Sequence, residues 1–344
     1  MLDERRIIQL FLEALPENGS RLQPFFTTDA QTLEIGTARC LFTIDSFGEE
    51  DHFRTSDPYT LGWNLAAGTV SDIHACGGTV LHYAHSCTVA NAWSEEYLSA
   101  MARGISDVIT LCGARFLGGD TGRTECWQYT GVAIGRADRE ITRRGAQPGD
   151  RLYITGEIGS GNLEAALSLI DAAPVRLFRS THPAMRFPVR NREARLIAHF
   201  ASACMDTSDG LLRALTTISE INHTGYSAKD LPWHTPGCEL LQQLGLPTEL
   251  LMAGECGEYE LLCTIPQSVE EEFLGAAERE GMVFHVIGMV TEAGHAELQE
   301  EDGTMDLSNC TLTARGATNH HDYVRRLTEY FMHKRHNSSV EGSR

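Results

Sequence analysis

The stretch Met205-Asp206-Thr207-Ser208-Asp209-Gly210-Leu211-Leu212 places two aspartates, two hydroxyl side chains and a glycine between apolar residues. Asp, Ser and Gly are typical of tight turns, so the pattern predicts a strand, a turn and then a helix over Gly210–Ile221. Asp209 is placed to cap that helix, whose N-terminus also favours a phosphate group. Capping alone leaves Asp206 and Ser208 without a role, and the turn is therefore a candidate binding site.

The same chemistry recurs at other places along the chain. The stretches are Thr28-Asp29, Thr43-Ile44-Asp45, Ser71-Asp72 and Gly118-Gly119-Asp120-Thr121. Magnesium takes oxygen ligands and is held through one or two carboxylates together with nucleotide phosphates, and glycine lets backbone N–H groups approach those phosphates. The set predicts an ATP-dependent enzyme of a kind that lacks the Walker motif, because G-x-x-x-x-G-K-[ST] does not occur.

Composition narrows the class of protein. With 344 residues, and about 150 residues per domain as a guide, we expect two domains. The chain is 42% hydrophobic and 22% charged, which suits a globular protein with a core in each half. Its formal charge of −19 argues against a nucleic-acid or anionic-membrane partner, since both require clustered Lys and Arg. A small-molecule substrate is expected instead.

The cellular location and the type of catalytic residue can be inferred from sequence features that are rare or absent in this chain. No apolar run reaches the ~18 residues of a membrane span, and the start Met1-Leu2-Asp3-Glu4-Arg5-Arg6 does not resemble a signal peptide. We therefore expect a cytoplasmic protein. Ten cysteines without a C-x-x-C pair indicate reduced core residues. The two lysines, Lys229 and Lys334, lie outside every candidate site, which predicts a mechanism without a catalytic lysine.

Hydrophobic periodicity places the acids on regular elements. The pattern predicts a strand over Cys40–Ile44, with Asp45 directly after it. It also predicts a helix over Leu61–Cys76, with Asp72 on its apolar face. A short strand over Ala114–Leu117 precedes Gly118 to Thr121. The turn Pro148-Gly149-Asp150 marks a domain boundary. We predict an N-terminal ATP- and metal-binding domain over 1–147, a second domain over 148–315, and a helix with a disordered tail over 316–344.

In their order along residues 25–265, these motifs resemble thiamine-monophosphate kinase, in the superfamily of aminoimidazole ribonucleotide synthase, selenophosphate synthetase and the hydrogenase-maturation dehydratase. Asp45 followed by His52-Phe53 is similar to its S-T-D…H-F, and Val70-Ser71-Asp72-Ile73 to its N-L-S-D-I helix. Gly118 to Thr121 matches G-G-D-T, Arg143 to Asp150 matches R-S-G-A-K-P-G-D, and Asp206 to Leu211 matches D-L-S-D-G-L.

The resemblance implies an α+β fold of two domains, in which the N-terminal sheet pairs with a second copy and ATP lies between the domains. It implies that Asp29, Asp45, Asp72, Asp120 and Asp206 bind Mg²⁺. Asp120 and Asp209 would serve catalysis, and Gly119, Asp120, Arg143 and Ser208 would contact ATP. His52, Glu258 and Tyr259 would face the substrate. The implied reaction is in-line transfer of the γ-phosphoryl group of ATP to thiamine monophosphate.

Departures from the family pattern leave the acceptor open. Thr27-Thr28-Asp29 stands where the kinase has G-D-D, Asn64 stands where a lysine is usual, and Glu255 to Leu261 replaces G-G-E-D-Y-E-L. A paralogue that phosphorylates a hydroxyl or amide oxygen, as a cyclo-ligase does, is one alternative, and a paralogue that only binds ATP or a partner protein is another. Selenophosphate synthetase needs an early lysine, and the hydrogenase-maturation enzyme a C-terminal cysteine; neither expectation fits this sequence.

Overall fold

The computed structural model describes residues 4–14, 26–51, 53–300, 303–308 and 310–341, which form two β-sheets with helices packed on them. The strands are β1 Gln31–Ile35, β2 Ala38–Gly48, β3 Thr79–Ala90, β4 Arg115–Thr124, β5 Gln128–Arg136, β6 Arg151–Ile154, β7 Ala203–Asp206, β8 Gly225–Ala228, β9 Leu261–Ile265, β10 His285–Thr291, β11 Ala296–Glu300 and β12 Gly303–Asp306. The helices are α1 Glu4–Ala14, α2 Pro58–Ala75, α3 Glu95–Leu111, α4 Ser160–Leu169, α5 Ala173–Thr181, α6 Asn191–Phe200, α7 Leu211–Asn222, α8 Thr235–Leu244, α9 Leu250–Ala253, α10 Glu270–Arg279 and α11 His320–Glu341. The predicted α+β fold of two domains is confirmed.

The N-terminal sheet has the strand order β1-β2-β5-β3-β4, antiparallel except for the pair β3 and β4. Helices α2 and α3 cover the face that carries Leu41 and Tyr129, and they cross very closely. A Cβ at Gly62 would overlap the Met101 carbonyl oxygen, and a Cβ at Gly104 would overlap that of Tyr59. The crossing therefore requires glycine on both helices, and it fixes the position of α2, which carries Asp72.

The C-terminal sheet has the order β12-β11-β8-β10-β6-β9-β7. Its core is built from residues such as Leu152, Ile154, Leu215 and Ile287, all buried between the sheet and α7. Strand β7 lies at the edge of this sheet and ends at Asp206. The predicted strand, turn and helix around Asp206 are confirmed, and the edge position brings this turn to the N-terminal domain.

Several elements differ from the sequence predictions. Strand β2 continues to Gly48, so Asp45 lies within a strand rather than at its end. Strand β4 continues to Thr124, so Gly118 to Thr121 forms a strand and not a turn. Parallel pairing with β3 holds this stretch extended, with a bulge between Tyr83 and His85. Pairing with strands that are distant in sequence extends both β2 and β4. Local turn propensity cannot predict such pairing.

Helix α11 extends to Glu341, and the disordered tail stays a prediction. The polar run from His333 has partners: Arg335 donates from Nε and Nη2 to the two carboxylate oxygens of Glu249, at 2.7 Å each. The Glu249 side chain is fully buried. None of the described helices combines the length and apolar character that crossing a membrane requires.

Candidate active site

Four carboxylates from both domains meet where β7 approaches α2. Among the described residues, one group offers ligand atoms within 4.8 Å of one another, and it consists of Asp29, Asp72 and Asp206. Asp45 on β2 lies close enough to interact electrostatically with Asp72 and Asp206. The structure thus brings together four of the five predicted metal ligands.

Hydroxyl groups hold two of these carboxylates in place. Ser71 Oγ donates to Asp206 Oδ2 at 2.6 Å across the domain boundary, and Thr43 Oγ1 donates to Asp72 Oδ2. Ser208 donates to Asp206 Oδ1 from its backbone N at 3.3 Å and from Oγ at 2.8 Å. The acids are therefore positioned before any ligand binds.

Burial and mutual repulsion make the acid group a strong cation acceptor. Burial, followed by the charges of Asp206 and Asp29, raises the pKa of Asp45 to about 7. The pKa of Asp206 is raised to about 6, mainly by burial and secondly by the charge of Asp29. The pKa of Asp72 is raised well above its ordinary value by burial and by Asp45. Carboxylates held this close share protons unless a cation offsets their charge.

Arg143 provides one such cation. Its guanidinium donates from Nη2 to Asp29 Oδ1 at 2.9 Å and from Nε to Asp29 Oδ2 at 3.2 Å. Its backbone N donates to Thr27 O, and its backbone O accepts a hydrogen bond from Asn222 Nδ2. Arg143 therefore joins the acid group to the wall of an adjacent cavity.

This cavity has a volume of about 820 Å³ and lies against α4, α7 and α11. Its polar lining residues include Arg143, Ser208 and Asp209, and its apolar ones include Leu163 and Leu327. The prediction that Asp209 caps α7 is wrong. Gly210 is the N-cap residue, at a φ of 81°, and Asp209 is exposed beside the cavity.

The segment 254–260 packs directly on the turn after β7. Gly257 N donates to Ser208 O at 2.7 Å, and a Cβ at Gly257 would overlap the Thr207 carbonyl oxygen. Glu255 lines the cavity and accepts a hydrogen bond from Ala314 N at 2.9 Å. Gly257 therefore lies at a backbone contact that only glycine allows.

The three predicted substrate residues differ in their placement. His52 lies outside the described residues. Glu258 is buried and accepts from Gly159 N at 2.9 Å and Thr207 Oγ1 at 3.1 Å, so its carboxylate faces the start of α4. Tyr259 adopts a φ of 60°, which is strained for a bulky residue. Burial, and secondly the charges of Asp45 and Asp206, raise the pKa of its hydroxyl. Of the two described residues, Tyr259 is the one beside the acid group.

Asp120 and Gly119 are not brought to this acid group. Asp120 is exposed on β4 and lies opposite Ser86, in register with Thr130 and Ser46. Because side chains alternate along a strand, Ser46 and Asp45 face opposite sides of the sheet, so Asp120 lies on the side away from Asp45. Its role as a metal ligand stays a prediction, as does ATP contact at Gly119.

Thr28, where the family resemblance implies an acid, is a core residue here. Its Oγ1 donates to Ala30 O at 2.9 Å and lies 3.1 Å from Cys76 Sγ, and the residue is 4% exposed. We expect Thr28→Asp to destabilise the fold by about 3 kcal/mol, because it buries a charge without a partner. Thr28→Val, which keeps the shape, should cost only about 1 kcal/mol. Urea unfolding of both variants measures this, and equal losses would contradict it.

Sequence reasoning did not predict several contacts around the site, and those made by Asn64 connect the two domains. Asn64 donates to Met185 O at 2.8 Å and accepts from Phe187 N at 2.9 Å. Arg190 binds both carboxylate oxygens of Glu260, at 2.6 and 2.5 Å. Thr43 could have been found, because it lies two residues before Asp45 on the same strand face. The other contacts join distant parts of the chain and leave no local signal.

Comparison with known proteins defines the class first. The N-terminal domain of AIR synthase related proteins matches residues 27–137, and the C-terminal domain matches residues 147–301. The structure is similar to that of AaThiL complexed with AMPPCP and TMP, with a TM-score of 0.69, 22% identity and coverage of 86% of this chain and 93% of that chain. The chain therefore has the two-domain fold of AIR synthase related proteins.

Sequence relatives then define the family. A thiamine-monophosphate kinase of Archaeoglobus fulgidus is 30% identical over 288 residues, covering 82% of this chain and 92% of the relative. Another, of Halobacterium salinarum, is 28% identical over 265 residues, covering 77% and 88%. The chain belongs to the thiamine-monophosphate kinase family.

Proposed function

We propose that this protein transfers the γ-phosphoryl group of ATP to thiamine monophosphate, giving ADP and thiamine diphosphate, with Mg²⁺ as cofactor. The observation that carries the proposal is the group Asp29, Asp45, Asp72 and Asp206, positioned between two domains beside a cavity of about 820 Å³. Relatives named as thiamine-monophosphate kinases, and the AaThiL complex with AMPPCP and TMP, support the choice of substrates.

The donor set fits magnesium. Carboxylate oxygens are the ligands that Mg²⁺ prefers. Burial and then the neighbouring carboxylates raise the pKa values of Asp45 and Asp206, and a bound cation would favour their charged forms. Asp29 pairs directly with Arg143, which also feels the weaker electrostatic attraction of Asp206 and Asp72. Asp29, Asp45, Asp72 and Asp206 would hold the metal, which would neutralise phosphate charge as it develops.

The residues of the chain supply positioning. Phosphoryl transfer requires an acceptor oxygen in line with the leaving group and charge stabilisation around the transferred phosphorus. Arg143 lies between Asp29 and the cavity, where its remaining N–H groups can reach a phosphate oxygen. Ser208 and the exposed Asp209 line the same cavity, together with Gly254, Glu255 and Cys256.

The decisive experiment combines binding and turnover. Calorimetric titration with a non-hydrolysable ATP analogue, with and without Mg²⁺, should show binding that depends on Mg²⁺. Incubation with ATP, Mg²⁺ and thiamine monophosphate should give thiamine diphosphate. Nucleotide binding without this product would indicate another acceptor, such as a hydroxyl or amide oxygen. Absence of Mg²⁺-dependent binding would indicate a protein that does not use ATP and binds a partner instead.

Magnesium should also stabilise the fold in a pH-dependent way. A carboxyl whose pKa is raised on folding favours the folded state when protonated, so this contribution falls as pH rises through about 6 for Asp206 and about 7 for Asp45. Metal binding requires the deprotonated form. We therefore expect Mg²⁺ to raise Tm more at pH 8 than at pH 5, measured by scanning calorimetry. An equal rise at both values would contradict this assignment.

We further propose a homodimer built on the uncovered side of the N-terminal sheet. Ile44 on β2 is 57% exposed and Leu117 on β4 is 59% exposed, an unusual exposure for large apolar side chains on one sheet. Ile44→Asp with Leu117→Asp should shift sedimentation from dimer to monomer, and unchanged sedimentation would contradict the proposal. Asp120 lies on the same side, so its role in metal binding must be tested in the dimer.

A cytoplasmic location also belongs to the proposal. All ten cysteines lie within the described residues, and each is a free thiol. Free thiols fit a reducing compartment.

A further inference from the structure

Helix α7 contacts the connection between the two domains as well as the candidate site. The chain passes from one domain to the other between β5 and β6, and residues 142–145 of this connection, which we call the linker, lie against the C-terminal end of α7. The other end of α7 begins directly after Ser208, Asp209 and Gly210. One helix therefore joins the turn that follows β7 to the linker, which contains Arg143.

Asn222, the last residue of α7, binds the linker with its whole amide group. Its Oδ1 accepts from Gly145 N at 2.8 Å, and its Nδ2 donates to Arg143 O at 2.8 Å. Nδ2 also donates to Ile218 O at 2.8 Å, one turn earlier on the helix. Both donors and the acceptor of the amide are thus in use, and the bond to Ile218 fixes the amide relative to the helix axis.

The neighbours of Arg143 in the linker are also held by the C-terminal domain. Cys204 N on β7 donates to Thr142 O at 3.0 Å. Gly145 adopts a φ of 122°, and a Cβ there would overlap the Ser202 carbonyl oxygen. Strand β7 therefore holds the linker on both sides of Arg143, and Asn222 binds the carbonyl of Arg143 itself.

The position of the Arg143 guanidinium depends on where this backbone lies. Its nitrogens donate to Asp29 at 2.9 and 3.2 Å and to Phe26 O at 3.4 Å. An arginine and a carboxylate joined by two hydrogen bonds require a specific geometry, and a functional side chain must be held within ~0.5 Å of its productive position. A linker that shifted further would move the guanidinium away from both Asp29 and the cavity.

We propose that Asn222 is a positioning residue for Arg143, so that α7 sets the linker and the turn at Ser208 at a fixed separation on either side of the nucleotide phosphates. The inference rests on the proposed function, because the contact between Arg143 and a phosphate belongs to it. Among the described residues of α7, those that line the cavity of about 820 Å³ end at Ile221. Asn222 therefore acts through Arg143 and not on a ligand.

A double-mutant cycle in urea tests this positioning in the metal-free protein, without nucleotide. Arg143→Met should lower the unfolding midpoint, because it leaves Asp29 unpaired among other acids. The decrease should be smaller in the Asn222→Ala background, where the guanidinium is already displaced. An equal decrease in both backgrounds would overturn the proposal.

Ser219→Ala is the matched control for Asn222→Ala. Ser219 lies at the same end of α7, and its Oγ donates to Thr224 O at 2.6 Å, away from the linker. The variant should therefore lose a hydrogen bond of the same helix end without moving Arg143. In this background, Arg143→Met should lower the midpoint as much as it does in the wild-type protein.

Steady-state kinetics then separates the inference from the proposed function. Asn222→Ala should raise KM for ATP about 10-fold and leave KM for thiamine monophosphate near the wild-type value, whereas Ser219→Ala should change neither. An unchanged KM for ATP, or an equal rise in both KM values, would overturn the positioning role while the kinase reaction stands. Coupling between Asn222 and Arg143 in a protein that binds no nucleotide would support the positioning and remove the proposed reaction.

Discussion

Asp72→Asn is expected to lower kcat by at least ~10²-fold while raising the Tm of the metal-free protein, because loss of one well-placed electrostatic group typically costs 10²- to 10³-fold. Asparagine keeps the volume and can still accept from Thr43 Oγ1. It removes a charge that Asp45, Asp206 and Asp29 repel. Activity and stability should therefore change in opposite directions.

The control for this variant is Asp138→Asn, which removes an exposed aspartate of the same domain. It should leave kcat and Tm near the wild-type values. Scanning calorimetry without metal and a coupled assay for ADP release measure both quantities. Wild-type turnover of Asp72→Asn at saturating ATP and Mg²⁺ would show that the acid group does not bind the catalytic metal.

Gly257→Ala is expected to abolish activity and to destabilise the C-terminal domain by at least about 3 kcal/mol, the upper end of the usual cost of overpacking. The added Cβ would overlap the Thr207 carbonyl oxygen, which is backbone and cannot rotate away. The turn 207–210 would have to move, and with it Ser208 and Asp209. Denaturant unfolding and turnover measure the two effects.

Gly275→Ala is the matched control. Gly275 lies within α10, and its Cβ would meet only the flexible end of the Arg279 side chain, at 3.4 Å. Alanine is preferred over glycine in a helix by about 0.5–1 kcal/mol, so this variant should be slightly more stable and fully active. Equal stability of the two variants would mean that the contact at Gly257 can relax.

The acids of the site could be predicted from sequence because each lies in a short polar stretch within an apolar pattern. Asp72 was placed on the buried side of α2 by periodicity alone, and it lies there in the structure. The strand, turn and helix around Asp206 followed from local turn chemistry. These features depend on neighbours within a few residues, which the sequence displays directly.

What the sequence did not reveal depends on distant partners. The stretch around Asp120 has turn-like residues but is held extended by β3. The two hydrogen bonds of Asn64 reach residues more than 120 positions away along the chain. The polar end of α11 gains its order from Glu249, which is buried beneath it. In each case a tertiary contact decided the conformation against the local preference.

The position of α11 has a consequence for the order of events during synthesis. Tyr323, Val324 and Leu327 form part of the wall of the large cavity, yet they leave the ribosome after every acid of the site. The N-terminal sheet can fold while the rest of the chain is still being made. The cavity, however, lacks a side until α11 has been made, so a nascent chain that already holds every acid of the site cannot yet enclose a ligand.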